Sequence, residues 1–529
     1  MRRDAATEAQ VRAARPDAST WLAANAGSGK TRVLTDRVAR LLLDGVEPQN
    51  ILCLTYTKAA ASEMQNRLFK RLGQWTMLPD GKLAEQLEIL GVEGALTAER
   101  MRHARTLFAR AIEAPGGLKI QTIHSFCASL LRRFPLEAGV SPQFAEMEDR
   151  AARLLVGQIV EAMADGAGRG VLDGIAAHVS DARLDELLQA VLGQRQAFGR
   201  FRPEDIAYVL GLPPDPIHEH ALNIAFDGSE SGLWEDLLPT LKSLSASYID
   251  LADRLSQVNV ATPTMVDLAV LKSEFLYQSD DRKGEYKKGD SKSRNFPQAN
   301  HKKAVDAVAP FADELHALMD RVHDALVYEN TVACFEKASA LHAFAAYFLP
   351  EYERQKQLRG LLDFDDLIQK ARLLLNDPRV AAWVLFKLDG GIDHILVDEA
   401  QDTSPDQWDV VEKLAQEFTT GEGARPDVRR TIFVVGDKKQ SIYSFQGADP
   451  GAFDRMREEF KSRLKATSDE LMDLTLEYSF RSAATILRLV DTVFAGKAEA
   501  GFPEDGRHRA FHGDLPGRVD LWPVVPKAA

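Results

Sequence analysis

Short apolar stretches recur along the chain, and most are followed by a segment with apolar residues at helical spacing. The stretches that predict strands are 20–23, 51–55, 118–122, 395–397, 431–435 and 474–476. Helical spacing follows the first two strands, over 31–43 and over about 59–72. Alternation of this kind predicts an α/β fold with a parallel, doubly wound sheet.

The middle of the chain breaks this alternation. From about 148 to 361 the sequence is rich in Ala, Leu, Glu and Arg, has helical periodicity and gives few strand signals. We therefore expect a large, mostly helical domain inserted into the α/β domain. Within it, 280–303 is polar and dense in charge, with Gly284 and Gly289. This segment is interpreted either as a solvated loop or as a basic flap that touches nucleic acid.

Composition limits the class of protein. The chain has 529 residues, of which 45% are hydrophobic and 27% charged, as expected for a soluble, multi-domain globular protein. No stretch approaches the ~20 apolar residues of a membrane span, and Met1-Arg2-Arg3 is followed by no apolar signal region. The three cysteines, Cys53, Cys127 and Cys334, have no metal-like spacing and favour a reducing cytoplasm.

The net charge of −13 argues against a basic surface spread over the whole protein. It leaves room for a local basic groove, which is all that nucleic-acid binding needs. Charge therefore does not exclude a protein that acts on DNA.

The first candidate site lies directly after the first predicted strand. Residues 24–31 read ANAGSGKT, which fits a phosphate-binding loop except that Ala24 replaces its first glycine. Gly27 and Gly29 let the backbone curl so that N–H groups point at a phosphate. Lys30 is expected to reach the β- and γ-phosphates, and the Thr31 hydroxyl to ligate magnesium. The predicted nucleotide contacts here are Ala26, Gly27, Ser28, Gly29, Lys30 and Thr31.

A pair of carboxylates ends the apolar stretch 395–397. Asp398 is predicted to hold magnesium, and Glu399 to orient and deprotonate the attacking water. A solvated strand end would also explain two acidic residues, but the continuation AQDTSPDQW is more particular than that. Together with the phosphate loop, this pair predicts ATP binding and hydrolysis with Mg²⁺.

Two later segments offer further nucleotide contacts. Gln440, in GDKKQSIY (436–443), has an amide that could sense a γ-phosphate without adding charge. In EYSFRS (477–482), Phe480 is a candidate for stacking on adenine, and Arg481 for stabilising charge on the γ-phosphoryl group.

Seven segments in this order resemble superfamily 1 DNA helicases of the UvrD/RecB type. They are AANAGSGKT (23–31), LTYTKAAASEM (54–64), TIHSFC (122–127), LDFDDL (362–367), DEAQDTSPDQW (398–408), GDKKQSIY (436–443) and EYSFRS (477–482). Within the superfamily, the chain looks most like the AddA family of helicase–nuclease subunits, in its alphaproteobacterial form. Those subunits work in AddAB complexes that repair double-strand breaks.

The resemblance implies a domain order. Residues 1–147 and 362–490 would form the two parts of a RecA-like P-loop domain 1A, and 148–361 the inserted helical domain 1B. Residues 491–529 would begin a second RecA-like domain, 2A, with a first strand within 517–529. The rest of that domain and a nuclease domain are not present in this sequence.

The resemblance also implies residue roles. Gln10 would read the adenine, while Lys30, Thr31, Asp398, Glu399, Gln440, Phe480 and Arg481 keep the roles given above. Single-stranded DNA would cross Tyr56, Thr57, Thr122, His124, Tyr443 and Phe445, with Tyr56 and Phe445 stacking on bases. His124 alone would also fit a buried core histidine, and Gln446 stands where UvrD-like members carry Arg.

The function implied is an ATP-dependent, 3′-to-5′ DNA translocase and helicase for double-strand-break repair, here as its N-terminal motor portion. Its cofactors would be ATP and Mg²⁺, its partners single-stranded DNA, duplex DNA ends and an AddB-like subunit, and its location the cytoplasm. The alternative is a nucleotide- and DNA-binding module without unwinding activity of its own. A small-molecule kinase or GTPase fits less well, because the Asn-Lys-x-Asp guanine reader is missing.

Overall fold

The computed structural model describes residues 4–115, 117–280, 285–389, 391–420, 428–442, 447–467, 469–497 and 508–523. The chain divides into two compact units. The first comprises Met1–Ala152 and Lys356–Ala529, and the second comprises Arg153–Gln355.

The helices and strands follow one another along the chain in three groups. The first group is α1 (Ala5–Ala13), β1 (Ser19–Ala24), α2 (Lys30–Leu43), β2 (Ile51–Thr55), α3 (Lys58–Met77), α4 (Asp80–Leu90), α5 (Ala98–Glu113), β3 (Lys119–Thr122), α6 (Ile123–Arg133), β4 (Ala145–Glu146) and α7 (Asp149–Asp165). The second is α8 (Arg169–Ala176), α9 (Asp181–Gly193), α10 (Pro203–Val209), α11 (His220–Ala225), α12 (Glu230–Lys242), α13 (Ala246–Leu255), α14 (Met265–Phe275), α15 (Lys302–Val308) and α16 (Ala312–Arg359). The third is β5 (Leu361–Leu362), α17 (Phe364–Asn376), α18 (Ala381–Asp389), β6 (His394–Val397), α19 (Pro405–Thr420), β7 (Thr431–Gly436), α20 (Pro450–Ala466), β8 (Leu471–Leu476), β9 (Tyr478–Ser479), α21 (Ala484–Phe494) and β10 (Arg509–Ala510).

A six-stranded sheet organises the first unit. Its strand order is β3-β2-β6-β7-β1-β8, and neighbouring strands are parallel throughout. Each face carries its own apolar core, since Trp21 lies in one core and its neighbour Leu22 in the other. Strands buried on both faces read as continuous apolar runs, which is why the sequence revealed them. The prediction of a doubly wound parallel sheet is confirmed.

The sheet combines strands that precede the second unit along the chain with strands that follow it. β1 is paired with β7, where Thr20 is opposite Phe433, and with β8, where Ser19 is opposite Leu471. β2 likewise pairs with β6. The site at the ends of these strands is therefore built from both parts of the sequence.

The second unit is helical, which confirms the predicted helical insertion. Its core includes Trp234, Phe275 and Leu318, all buried. Among its described residues, an isolated antiparallel bridge between Leu276 and Ser291 stands outside the helices.

The charged segment of this unit is held against its neighbours. The rings of Tyr277 and Tyr286 stack with centroids 3.6 Å apart, and Ser293 Oγ donates to Asp320 Oδ1 at 2.6 Å. The lysines at 287–288 lie in this segment, and Lys288 is exposed. Both interpretations, a solvated loop and a basic flap, therefore stay open.

The last described residues add a small strand pair. β10 runs parallel to β9 in a separate two-stranded sheet. Residues 517–523, part of the segment predicted to form a strand, form none, and no described strand lies beside them for pairing. The remainder of that predicted strand, 524–529, lies outside the described residues.

The cysteines and the longer helices bear on the environment that the sequence predicted. Cys53 and Cys127 are buried free thiols, whereas Cys334 is exposed. Burial raises the pKa of both buried thiols, so they remain neutral. In the part of the chain that the structure describes, no helix has the length and apolar character that crossing a bilayer requires.

Candidate nucleotide and nucleic-acid site

The loop between β1 and α2 has a backbone that only glycine tolerates at two points. Gly27 has φ +74° and Gly29 has φ +89°. A β-carbon at Gly27 would lie 2.6 Å from Arg481 Cβ, and one at Gly29 would lie 2.6 Å from Gln10 Nε2. Neighbouring segments therefore pack directly on the loop backbone.

The same loop leads into the N-terminus of a 14-residue helix. α2 begins at Lys30, and its N-cap, Gly29, has no side chain that could satisfy the first N–H groups. Helix N-termini carry a partial positive charge and free N–H donors, which suit an anion. The loop and helix together fit a nucleotide phosphate.

Lys30 meets Glu399 across 369 residues of sequence. Lys30 Nζ lies 2.7 Å from Glu399 Oε2, and the two side chains are 10% and 35% exposed. Glu399 follows β6 with φ 49°, and it alone among the described non-glycine residues has a positive φ. Such backbone costs ~1–3 kcal/mol and is concentrated at functional sites.

Asp398 is the buried member of the carboxylate pair. Burial, followed by the charge of Glu399, raises its pKa to about 7, and Lys30 only partly offsets this. The Glu399 N–H donates to Asp398 Oδ1 at 3.0 Å. A buried carboxylate that holds its proton so tightly is suited to a divalent cation, which would favour the charged form. The half-buried Thr31, next to Lys30, supplies a hydroxyl at the same edge of the sheet, so these residues fit magnesium.

Gln401 links the ends of two strands, a role that the sequence analysis missed. Its side-chain Nε2 donates to Glu399 Oε2 at 2.9 Å and to Asp402 Oδ2 at 3.0 Å, and its Oε1 accepts from the Asp437 N–H at 2.8 Å. The residue is 1% exposed. Its presence within the motif DEAQD was the available signal, but spacing could not reveal which groups it would bridge.

The turn after β7 reaches towards the phosphate loop. It is a short 3₁₀ helix, Lys438–Gln440, in which Gln440 Nε2 donates to Asp437 Oδ2 at 2.6 Å. Lys439 Nζ donates to Asn25 Oδ1 at 2.7 Å. Gln440 therefore lies near the loop as predicted, and Lys439 is a further cation there that the sequence analysis did not single out.

Gln10 is the polar residue that lies behind the loop. It is 2% exposed, and its Nε2 donates to the Ser28 carbonyl at 2.8 Å. Within the described part of the chain, Gln10 Oε1 and Ser28 Oγ are buried without a hydrogen-bond partner. Such orphaned atoms are uncommon, and a bound ligand would satisfy them.

Phe480 and Arg481 join the site from the end of β8. The Phe480 N–H donates to the Gly27 carbonyl at 2.8 Å, and Arg481 is exposed. The Phe480 ring packs on Phe511, with centroids 4.4 Å apart. The sequence analysis did not anticipate Phe511, because nothing in its own segment resembles a motif.

The residues predicted to meet DNA lie at the ends of β2 and β3. These strands are neighbours, with Thr55 opposite Thr122. Tyr56 and Thr57 follow β2; Thr57 Oγ1 caps α3 by accepting from the Ala60 N–H at 3.1 Å. Thr122 caps α6 in the same way and is only 5% exposed.

His124 is half-buried near the start of α6. Its ring meets Phe364 edge-on at 5.3 Å, and burial lowers its pKa, which keeps it neutral. Tyr443 and Phe445, the other two predicted DNA contacts, lie outside the described residues.

All of the described candidates are arranged around one edge of the sheet. β6, which carries Asp398 and Glu399, lies between β2 and β7. The Asp398 N–H donates to the Leu54 carbonyl at 2.9 Å, close to Tyr56. Open α/β sheets bind ligands at the carboxyl ends of their strands, and here the nucleotide candidates and the DNA candidates occupy adjacent strand ends.

Comparison with known proteins agrees with this arrangement. Three similar proteins are named as AddA subunits of an ATP-dependent helicase/nuclease. That of Enterococcus faecalis is 25% identical over 517 residues, covering 90% of this chain and 37% of the relative. That of Latilactobacillus sakei is 24% identical, covering 89% and 53%, and that of Exiguobacterium sibiricum is 28% identical, covering 89% and 38%.

This chain thus spans 37% to 53% of the length of these relatives. The profile of the UvrD/REP helicase N-terminal domain matches residues 6–461, which include both sides of the helical insertion. A match of that extent covers the phosphate loop, the carboxylate pair and the turn after β7. The chain belongs to the UvrD/REP helicase family.

Proposed function

We propose that this chain is the ATP-hydrolysing motor portion of a DNA translocase and helicase that acts in double-strand-break repair. The observation that carries the proposal is the 2.7 Å contact between Lys30 and Glu399, beside the buried Asp398 and the open N-terminus of α2. This is the chemistry that phosphoryl transfer to water requires at one strand edge.

Each side chain has a task in the proposed reaction. Lys30 turns from Glu399 to the β- and γ-phosphates of ATP, which frees the Glu399 carboxylate to orient and deprotonate water. Gln401 keeps that carboxylate in place. Magnesium, held by Thr31 and Asp398, neutralises phosphate charge. Gln440 and Arg481 complete the contacts to the γ-phosphoryl group.

Gln10 and Phe480 would recognise the base. The unpartnered Gln10 Oε1 can accept a hydrogen bond from the adenine amino group, whereas the guanine carbonyl at that position offers no proton. Phe480 would stack on one face of the ring. Together these contacts favour ATP over GTP.

The DNA part of the proposal rests on the adjacent strand ends. Tyr56, Thr57, Thr122 and His124 would contact single-stranded DNA, with Tyr56 providing a sequence-independent stacking surface. Tyr443 and Phe445 are proposed to extend this path. Duplex ends as substrate, 3′-to-5′ movement, a cytoplasmic location and an AddB-like partner are proposed from the relatives and the family resemblance.

Steady-state ATPase activity of the purified chain tests the proposal. We expect magnesium-dependent turnover that rises with single-stranded oligonucleotide and is lost in Lys30→Ala. Lys82→Ala, which changes an exposed lysine, is the matched control and should behave as wild type. Nucleotide and DNA binding without DNA-stimulated turnover would support a binding module instead. Absence of ATP binding would contradict both.

A further inference from the structure

A short segment beyond the residues matched by the helicase profile reaches the candidate base site. β10 pairs with β9, directly before Phe480. The Arg509 N–H donates to the Glu477 carbonyl at 3.2 Å, and the Phe511 N–H donates to the Ser479 carbonyl at 2.9 Å. These bonds place the Phe511 backbone alongside the strand that leads into Phe480.

A second anchor holds the same segment from its other side. His508 Nδ1 lies 2.6 Å from Asp491 Oδ1, and the His508 N–H donates to Asp491 Oδ2 at 3.2 Å. Asp491 belongs to α21, and the His508 side chain is only 10% exposed. Residues 508–511 are therefore fixed both to β9 and to α21.

The Phe511 side chain uses this support to contact Phe480. The two rings are tilted by 36° with centroids 4.4 Å apart, close to the range of favourable aromatic pairs. Phe480 remains only half-buried, so part of its ring is still accessible. Its backbone is bound to the Gly27 carbonyl, so the ring starts from a fixed point at the phosphate loop.

A ring that must stack on a ligand gains affinity when its orientation is set beforehand. An unsupported phenyl ring loses rotational freedom on binding, and this loss lowers affinity. Phe511 packs against the ring before any ligand arrives, which removes part of that cost. We propose that Phe511 is a positioning residue that holds Phe480 for stacking on the base of the nucleotide.

This inference rests on the proposed function, since it assumes that Phe480 stacks on adenine. It adds residues 508–511 to the nucleotide site. It also predicts that the effect of Phe511 is confined to ligands that carry a base. A residue that only stabilised the fold would affect phosphate ligands equally.

The test compares two ligands by calorimetry on the full chain: ATP, and inorganic tripolyphosphate, which has the phosphates without the base. Phe511→Ala should weaken ATP binding roughly tenfold, the equivalent of one aromatic contact, and leave tripolyphosphate binding unchanged. Phe511→Tyr should restore ATP binding. Trp522→Ala, which removes an aromatic side chain that is 84% exposed in the same segment, is the control and should bind both ligands as wild type does.

Several outcomes would overturn the inference. Equal weakening of both ligands would mean that Phe511 serves the fold alone, and tighter ATP binding would mean that its ring covers the stacking face. Unchanged ATP binding in Phe511→Ala, together with a loss in Phe480→Ala, would reject the role of Phe511 and keep the proposed function. If wild type bound no ATP, both proposals would fail.

Discussion

Glu399 is held by two donors of different kinds, the ammonium group of Lys30 and the amide of Gln401. Glu399→Gln keeps the shape of the side chain but removes the carboxylate that would accept a proton. We expect ATP binding to persist and turnover to fall by ~10²–10⁴-fold, the usual contribution of a general base. Binding is read from a fluorescent ATP analogue and turnover from phosphate release. Wild-type hydrolysis in this variant would show that Glu399 is not the base.

Lys356 is a buried cation outside the nucleotide site. It is 1% exposed, and its Nζ lies 3.0 Å from Asp363 Oδ2 and 2.6 Å from Asp366 Oδ2. Lys356→Met would leave two carboxylates without their counter-ion in a buried position. Loss of one side of a buried ion pair costs ~3–5 kcal/mol, so we expect the free energy of unfolding in urea to fall by about that amount. Lys461→Met, at an exposed lysine, should change it little.

Sequence reasoning reached the residues that sit inside contiguous motifs. The phosphate loop and the Asp398–Glu399 pair are recognisable because each motif is local and its chemistry needs particular residue types. Lys439 and Phe511 escaped notice because their partners, Asn25 and Phe480, are close only after folding. Pairings of that kind depend on strand order, which no local pattern contains.

At the level of elements, the phosphate loop offers a test of close packing. Gly27→Ala would place a methyl group 2.6 Å from Arg481 Cβ on a backbone with positive φ. We expect nucleotide binding to be lost, because the loop must move to relieve the contact. Binding of a fluorescent ATP analogue measures this.

Gly45→Ala is the matched control for that change. Gly45 has φ +90°, but a β-carbon there meets nothing within 4 Å. It therefore imposes the same type of backbone strain, ~1 kcal/mol, without a clash. If both variants lost binding alike, strain rather than contact with Arg481 would be the cause.

The elements themselves were predictable where burial was complete. The strand predicted at 51–55 is β2 as observed, since all five of its residues are buried and apolar or β-branched. β8 begins at Leu471, three residues before the predicted 474, because alternating exposure along this edge strand breaks its apolar run. The order of strands in the sheet was not predictable, since neighbours such as β1 and β7 are separated by the whole insertion.

At the scale of the whole molecule, one buried histidine links stability to pH. His394 is 3% exposed, its Nδ1 lies 2.7 Å from Thr431 Oγ1, and burial followed by the charge of Arg37 lowers its pKa to about 3. The unfolded chain binds a proton at this residue below its usual pKa of ~6.5, whereas the folded chain does so only near 3. Stability is therefore present above pH 6.5 and lost progressively as pH falls towards 3.

The expected size of this effect can be measured. Between pH 6.5 and pH 5 the histidine should account for a loss of ~2 kcal/mol in the free energy of unfolding. His394→Gln has no proton to gain in this range, so its stability should fall less steeply with acid. Parallel urea melts at the two pH values give the difference. Identical slopes for variant and wild type would show that His394 is not the titrating group.

The position of β1 in the sheet has a consequence for how the protein is made. β1, which leads into the phosphate loop, pairs only with β7 and β8 among the described strands, and β7 begins at Thr431. A ribosome adding ~5–20 residues per second needs roughly 20–80 s to synthesise the chain between them. For that time an apolar strand has both edges unpaired, and such edges invite association with other chains. The nascent protein should therefore depend on chaperones until its last strands emerge, and the nucleotide site should be among the final parts to form.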